Sequence, residues 1–271
     1  MKSLEVILSP KELPMLSKRD LRGTTCVVFD VLRATSTIVT ALHHGAQAIV
    51  PVSEIAEALA LRRKQPGILL GGERDGVKIR AAQTGGIDFD LGNSPREYTP
   101  ERVRGKTIVS TTTNGTRALR ACAAAQTILA ASFLNLTATA RAVQRLRASS
   151  IVLVCAGTRE NVATEDVLAA GALGEMLIGW DEPDGEPALS GSRAGSLHRK
   201  GIYEFSDAVE ITLRSWRKAK PNLFAPVANA ENARRLLAIP ELRDDVAFCL
   251  QSDVFDLTAV LGRDGAIRSL V

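Results

Sequence analysis

The sequence predicts an α/β protein of three layers, α/β/α, built on a mainly parallel sheet. Two observations predict it. From Thr24 to Gly179, short apolar runs alternate with helical stretches in βαβα order, the pattern of parallel strands joined by crossover helices. Aromatic residues make up only 4% of the 271, so the 45% apolar share rests on small aliphatic side chains that let helices pack closely on a sheet.

The strands are read in order at 24–29, 46–50, 68–70, 107–110, 127–131 and 151–155. Each is short and most are rich in β-branched residues, as in Val27-Val28 and Ile151-Val152, which favours buried strands over helices. Helices are read at 35–44, 53–64, 114–125, 135–147 and 164–179. Residues 181–201 break the rhythm with Pro183, Gly185, Pro187, Gly191 and Gly195, the composition of a loop or hinge. Helices at 203–218 and 229–238 follow, then strands at 246–250 and 257–261. The chain is read as a single domain over 1–271. Its end either closes the same sheet or forms a smaller C-terminal lobe, with lobes 1–180 and 201–271 joined near 181–200.

Composition narrows the function classes. A formal charge of +4, without a basic stripe interleaved with aromatics, argues against nucleic-acid binding. No apolar run approaches membrane-spanning length, and the first ten residues lack a signal peptide, so a cytoplasmic protein is expected. Cys26, Cys122, Cys155 and Cys249 form no C-x-x-C pair and read as buried free thiols. His43 and His44 close a helix, where histidine caps carbonyls, and His198 falls in the loop region. A histidine-centred triad or zinc site has little material.

Ligands of open parallel sheets bind beyond the carboxyl ends of the strands, and four such junctions are polar. After the first strand come Asp30, Arg33 and the hydroxyls Thr35, Ser36 and Thr37. A carboxylate there can hold Mg²⁺ or act as a nucleophile, and an arginine can grip phosphate oxygens; an ion pair with helix caps is the plainer reading. After the third, Gly71-Gly72-Glu73-Arg74 offers a metal ligand and an anion binder, or a polar turn. Val77 stands where a P-loop needs lysine.

After the fourth strand, Thr111, Thr112 and Thr113 precede Asn114-Gly115-Thr116-Arg117, a credible phosphate cradle with more hydroxyls than one cap requires. After the sixth, Gly157, Thr158 and Arg159 precede Glu165 and Asp166, carboxylates that suit either a helix dipole or Mg²⁺. Only three residues separate Cys155 from Arg159, where cysteine phosphatases need five, so Cys155 reads as a packed thiol. Ser94 and Glu97 have capping-box spacing around Pro95, which accounts for them and leaves Gly92 and Asn93 unexplained.

Taken together and in order, Val28-Phe29-Asp30-Val31-Leu32-Arg33-Ala34-Thr35-Ser36, Gly71-Gly72-Glu73-Arg74, Phe89-Asp90-Leu91-Gly92-Asn93-Ser94-Pro95, the run from Thr111 to Leu119 and Cys155-Ala156-Gly157-Thr158 resemble the 2-phosphosulfolactate phosphatase family. Glu165-Asp166 falls in the expected place, and the resemblance is looser beyond Leu177. Lys78 to Gly86 departs from it, longer and more basic.

The resemblance implies an α/β fold and Mg²⁺-dependent hydrolysis of 2-phosphosulfolactate to sulfolactate and phosphate, a step that serves coenzyme M synthesis in some settings. On that reading Asp30, Arg33 and Arg117 are catalytic. Asp30, Glu73, Glu165 and Asp166 are the metal ligands. Ser36, Arg74, Thr112, Thr113, Asn114, Gly115, Thr116, Gly157 and Thr158 bind a small anionic phosphate ester. The D-x-D signature of aspartyl-phosphate enzymes is absent, because residue 32 is leucine, which favours attack by water. A phosphatase for another phosphorylated hydroxy acid and a non-catalytic metabolite sensor are the rival expectations. A homo-oligomer is expected from the habit of soluble enzymes.

Overall fold

The computed structural model describes residues 2–179, 197–200 and 202–270. Its strands are β1 (Lys2–Ile7), β2 (Thr24–Phe29), β3 (Ala48–Pro51), β4 (Leu69–Arg74), β5 (Val77–Lys78), β6 (Thr107–Thr111), β7 (Thr127–Ala131), β8 (Ser150–Cys155), β9 (Leu197–Lys200), β10 (Tyr203–Ser206), β11 (Thr258–Leu261) and β12 (Ile267–Leu270). They form one sheet in the order β5-β4-β6-β3-β12-β11-β7-β2-β8-β1-β10-β9. The inner pairs β4–β6, β6–β3, β7–β2, β2–β8, β8–β1 and β1–β10 are parallel.

The layering follows from β2, whose six residues are all buried. Val27 and Phe29 pack into one core with the helices Leu136–Leu146, Thr164–Gly179 and Asp207–Ala219. Cys26 and Val28 point the other way, into a core with the helices Ala34–His43 and Gly115–Ala121. Period-two alternation in a strand buried on both faces thus produces the two helical layers.

The helix Ala34–His43 is buried from Ala34 to Leu42, so it must be apolar or internally satisfied all round. Its hydroxyls meet that demand: Ser36 Oγ donates to the Val31 carbonyl (2.8 Å) and Thr40 Oγ1 to the Ser36 carbonyl (2.8 Å). The helix lies against β3, β12, β11 and β7, and the sheet curls round it. The curl matters because β3, β12, β11 and β7 separate β6 from β2, yet the ends of β4, β6, β2 and β8 meet at one pocket.

Several expectations need correction. Residues 246–250 are not a strand: Asp245, Val246 and Cys249 are buried while Ala247 is exposed, a helical period, and Arg243–Cys249 is a helix led by Asp244 and Asp245. The helix expected from residue 203 begins at Asp207, because Tyr203–Ser206 alternates buried and half-buried residues and pairs with β1. The helix at 114–125 ends at Ala121. β1 and β12 had no counterpart in the strand reading.

The expected loop near 181–200 lies, over 181–196, outside the described residues; its last residues form β9, on which His198 falls. The C-terminal strands join the same sheet. The β11–β12 hairpin sits between β7 and β3, antiparallel to both. Among the described residues, no helix is long and apolar enough to cross a membrane.

Candidate active site

Asp30 directly follows β2 and is 7% exposed. Its backbone is fixed twice by Thr35, whose Oγ1 accepts from Asp30 N (3.1 Å) and whose N–H donates to the Asp30 carbonyl (2.9 Å). The Asp30 carboxylate then meets the start of the central helix, where Ala34 N donates to Oδ1 (3.2 Å). Its Oδ2 has no hydrogen-bond partner among the described residues. Burial lifts the Asp30 pKa to about 7; the negative charges of Glu73 and Glu165 add to the rise, against the Ala34 N–H and Arg33.

Glu73 reaches the same pocket from β4 and is held by the β6 loop. Its Oε1 accepts from Thr113 N and Oγ1 (both 2.9 Å), and its Oε2 from Gly76 N (2.6 Å). Gly115 lets this loop approach β2: a Cβ there would lie 2.8 Å from the Ala34 Cβ and 2.9 Å from Asp30 Oδ2. Thr112 and Thr116 face each other across the helix start, with Thr112 Oγ1 accepting from Thr116 N (3.3 Å). They shape the loop, and Thr113 and Asn114 line the pocket.

Glu165 and Asp166 open the helix after β8 and are almost wholly buried. Asp166 ties two strand ends together, its Oδ1 accepting from Val31 N (2.8 Å) and its Oδ2 from Gly157 N (2.9 Å). Burial and the charges of Asp30 and Glu165 push the Asp166 pKa well up. Burial likewise raises that of Glu165, whose Oε2 has no partner among the described residues. Thr158 lines the pocket with an unpartnered, buried Oγ1. Burial first, then neighbouring carboxylates, push the Cys155 thiol far up, which suits a packed thiol rather than a thiolate nucleophile.

Mg²⁺ takes oxygen ligands, commonly one or two carboxylates completed by water and phosphate. Asp30 Oδ2 and Glu165 Oε2 are unpartnered oxygens on neighbouring buried carboxylates, the donor type that ion takes, with Asp30 in the pocket lining and Glu165 behind it. Both oxygens of Glu73 and of Asp166 already accept hydrogen bonds. Among the described residues, no group of three or more His, Cys, Asp or Glu side chains stands together as a preformed metal nest.

The arginines divide. Arg33 lines the pocket but is buried, with NH1 donating to Asp245 Oδ2 (2.7 Å) and NH2 to the Gly76 carbonyl (2.5 Å). Arg74 is held by the Glu73 carbonyl (2.7 Å), the Ser53 carbonyl (3.2 Å) and Thr111 Oγ1 (3.0 Å), and does not line the pocket. Arg117, expected to be catalytic, lies outside the lining on the surface, paired with Glu160 (2.6 Å). Ser36 is buried beneath the pocket in its bond to Val31.

The capping box expected at Ser94 is not formed. Ser94 Oγ instead donates to Asp245 Oδ1 (2.7 Å), while Glu97 Oε2 accepts from Gly92 N (3.0 Å). Asn93 lines the pocket, and its carbonyl accepts from Thr37 Oγ1 (2.8 Å). His44 caps no helix carbonyl; its Nδ1 lies 2.6 Å from the Tyr98 carbonyl.

The remaining wall comes from the C-terminal helices that the sequence reading left without function. Asn232, Arg235 and Leu236 on Glu231–Leu237 line the pocket, and Asp245 on Arg243–Cys249 holds Arg33 beneath it. Asn232 Nδ2 bonds the Leu32 carbonyl and reaches Glu165 Oε1 (3.4 Å); Arg235 NH2 donates to Asn232 Oδ1 (2.7 Å). The available signal was a charged Asn-x-x-Arg segment beyond the region of clear resemblance, too common a pattern to single out.

Residues 9–263 match the family model described as 2-phosphosulpholactate phosphatase. A probable 2-phosphosulfolactate phosphatase of Caldanaerobacter subterraneus subsp. tengcongensis is 36% identical over 256 residues, covering 94% of each chain. One from Thermotoga petrophila is 40% identical over 238 residues, covering 88% of each. One from Clostridium acetobutylicum is 31% identical over 255 residues, covering 94% of this chain and 95% of that one. With the match spanning both the strand-end loops and the C-terminal helices that close the pocket, the chain belongs to the 2-phosphosulfolactate phosphatase family.

Proposed function

We propose that this protein is a phosphoric monoester hydrolase that releases phosphate from 2-phosphosulfolactate with the help of Mg²⁺. The observation that carries the reading is the opposed chemistry of one pocket. Asp30 lines it with a carboxylate whose Oδ2 accepts no hydrogen bond among the described residues, and the neighbouring buried Glu165 Oε2 is likewise unpartnered, a pair that calls for a cation, while Arg235 and Arg159 line the same space and call for an anion. A metal-bound phosphate ester with a further acid group meets both demands.

Bound at Asp30 and Glu165, Mg²⁺ would supply the positive charge that lets a phosphate approach this carboxylate cluster. Burial and the charges of Glu73 and Glu165 raise the Asp30 pKa to about 7 in the metal-free pocket, and Mg²⁺ at Oδ2 would hold that carboxylate ionised as a ligand. The water oxygen bonds to phosphorus, the bond from phosphorus to the ester oxygen breaks, and the proton that the water loses passes to the departing alkoxide. Glu73 holds the Thr113 loop, and Asp166 holds the β2 and β8 ends, so that the groups stay in register. Asn114 presents an amide to the phosphate oxygens.

The test is phosphate release from racemic 2-phosphosulfolactate with Mg²⁺ and with EDTA, beside 2-phospholactate and phosphoglycolate. The expected result is release that EDTA abolishes and that prefers the sulfonate. Metal-dependent release from another ester alone would keep the phosphatase and reject the substrate. Ligand-induced stabilisation without any release would favour a metabolite sensor.

A further inference from the structure

The positive charges at the pocket are not equally committed. Arg33 is matched by Asp245 and the Gly76 carbonyl. Arg159 is 67% exposed and 3.6 Å from Glu231. Arg235 is different. Its NH2 donates to a neutral acceptor, Asn232 Oδ1, and its Nε is buried with no acceptor among the described residues. Buried donors are nearly always paired, so a guanidinium N–H left over in a pocket wall marks a place that a ligand completes.

Two further features surround it. Thr158 is 4% exposed, lines the same pocket and has a hydroxyl without a partner, although its backbone N–H and carbonyl are both bonded to Asn161. The loop is therefore held, and the hydroxyl is spare. Gly76, at φ +79°, a conformation that suits glycine, packs against the guanidinium, with the place of a Cβ 3.4 Å from the guanidinium carbon. Asn232 fixes the arginine from its own helix and is itself anchored on the Leu32 carbonyl. The arginine is thus pre-positioned, which reduces what binding costs in side-chain order.

We infer that Arg235 and Thr158 form an anion subsite for the acid group of the substrate remote from the phosphoester, a sulfonate or carboxylate, and so select esters that carry a second acid. The inference rests on the phosphatase reading. The phosphate belongs with the cation at Asp30, which lines the same pocket from the β2 end while Arg235 lines it from the helix Glu231–Leu237. The acid on the neighbouring carbon meets the guanidinium, whose planar fork suits a two-oxygen acceptor.

The test measures thermal stabilisation by sulfolactate and, separately, by inorganic phosphate, both with Mg²⁺, in the wild type, Arg235→Met, Arg235→Lys and Thr158→Val. It also measures KM and kcat for 2-phosphosulfolactate and for isopropyl phosphate, which has no second acid. Arg235→Met should weaken sulfolactate about 10- to 100-fold and raise the KM for 2-phosphosulfolactate by a like factor. Its response to inorganic phosphate should hold. Arg235→Lys should recover part of the loss, and Thr158→Val should show a smaller one.

Unchanged sulfolactate affinity in Arg235→Met overturns the subsite, as does a wild type that sulfolactate does not stabilise. Loss of phosphate binding in place of sulfolactate binding would hand Arg235 to the phosphate and overturn the assignment equally. If Arg235→Met does not fold, Arg235→Lys and Thr158→Val decide: unaltered affinity in both refutes the idea. A wild type that binds sulfolactate but hydrolyses no ester defeats the phosphatase reading, while the binding comparison still settles the subsite.

Discussion

Asp30 sets the electrostatic character of the pocket at the scale of one residue. Burial, then Glu73 and Glu165, raise it from 3.8 to about 7, and burial moves Glu165 and Asp166 in the same direction. Between about pH 4 and pH 7 the folded, metal-free protein therefore binds more protons than the unfolded chain. Linkage gives this contribution its sign: it is fully present below the unfolded pKa and is lost as pH rises through the folded one. In EDTA, the melting temperature should fall from pH 5 to pH 8. Asp20 and Asp264, held down to about 2 by Arg22 and Arg268, act below that window. Asp30→Asn should flatten the decline, make the metal-free protein more stable than wild type at pH 8 and abolish phosphate release. Parallel melting curves for the two proteins across this range would show that Asp30 is not a strained carboxylate.

At the scale of elements, the helix Arg243–Cys249 illustrates how site and core are joined. Asp245 is fully buried and receives Arg33 NH1 and Ser94 Oγ, both at 2.7 Å, so one carboxylate clamps the loop after β2 to the loop before the short helix Pro95–Glu97. Removing one member of a buried pair leaves the other charge uncompensated, at a cost of about 3–5 kcal/mol. Asp245→Ala should lower stability by that order in urea unfolding, with Asp245→Asn milder because its one amide oxygen can still accept from Arg33 while its NH₂ faces the Ser94 hydroxyl, which can itself accept. A loss under about 1 kcal/mol would mean that Arg33 finds water or another partner.

The same helix shows where the sequence is hard to read. Val246-Ala247-Phe248-Cys249-Leu250 is a short apolar run of either period, and only burial from the neighbouring Leu32–Arg33 loop and the packed thiol of Cys249 decides it. By contrast β2, β7 and the helix Thr164–Gly179 were legible, because each buries nearly every residue and needs no partner to define its period. Asp30, Glu73 and Thr158 were legible as polar groups at or just past strand ends, and Glu165 as a carboxylate in the first turn of the helix after β8. Asn232, Arg235 and Asp245 were not, because what makes them part of the pocket is a chain reversal of some 200 residues. Ser94 was misread for the complementary reason: its local spacing suggested a cap, but a distant carboxylate claimed its hydroxyl.

At the scale of the molecule, the question is whether the chain end is a separable lobe. The β11–β12 hairpin lies in the middle of the sheet, with Ala259, Val260 and Leu261 opposite Ala130, Leu129 and Ile128 of β7, and Ile267 opposite Ile49 of β3. It joins the parallel group β4-β6-β3 to the parallel group β7-β2-β8-β1-β10. Ala259 and Ile267 are buried in the same core as Val28, Ile49 and Ile108. A chain ended after Asp256 would lose that junction and leave the facing edges of β3 and β7 as unpaired donors and acceptors, the condition that invites aggregation. It would also lose the curl that carries Glu73 and Thr113 to Asp30. The truncated protein should therefore show no cooperative melting transition and no phosphate release, even though every carboxylate of the pocket is still in its sequence. A soluble truncation that melts cooperatively near the full-length temperature would instead mean that residues 1–256 complete their own core, with the hairpin a dispensable addition to a sheet that closes without it.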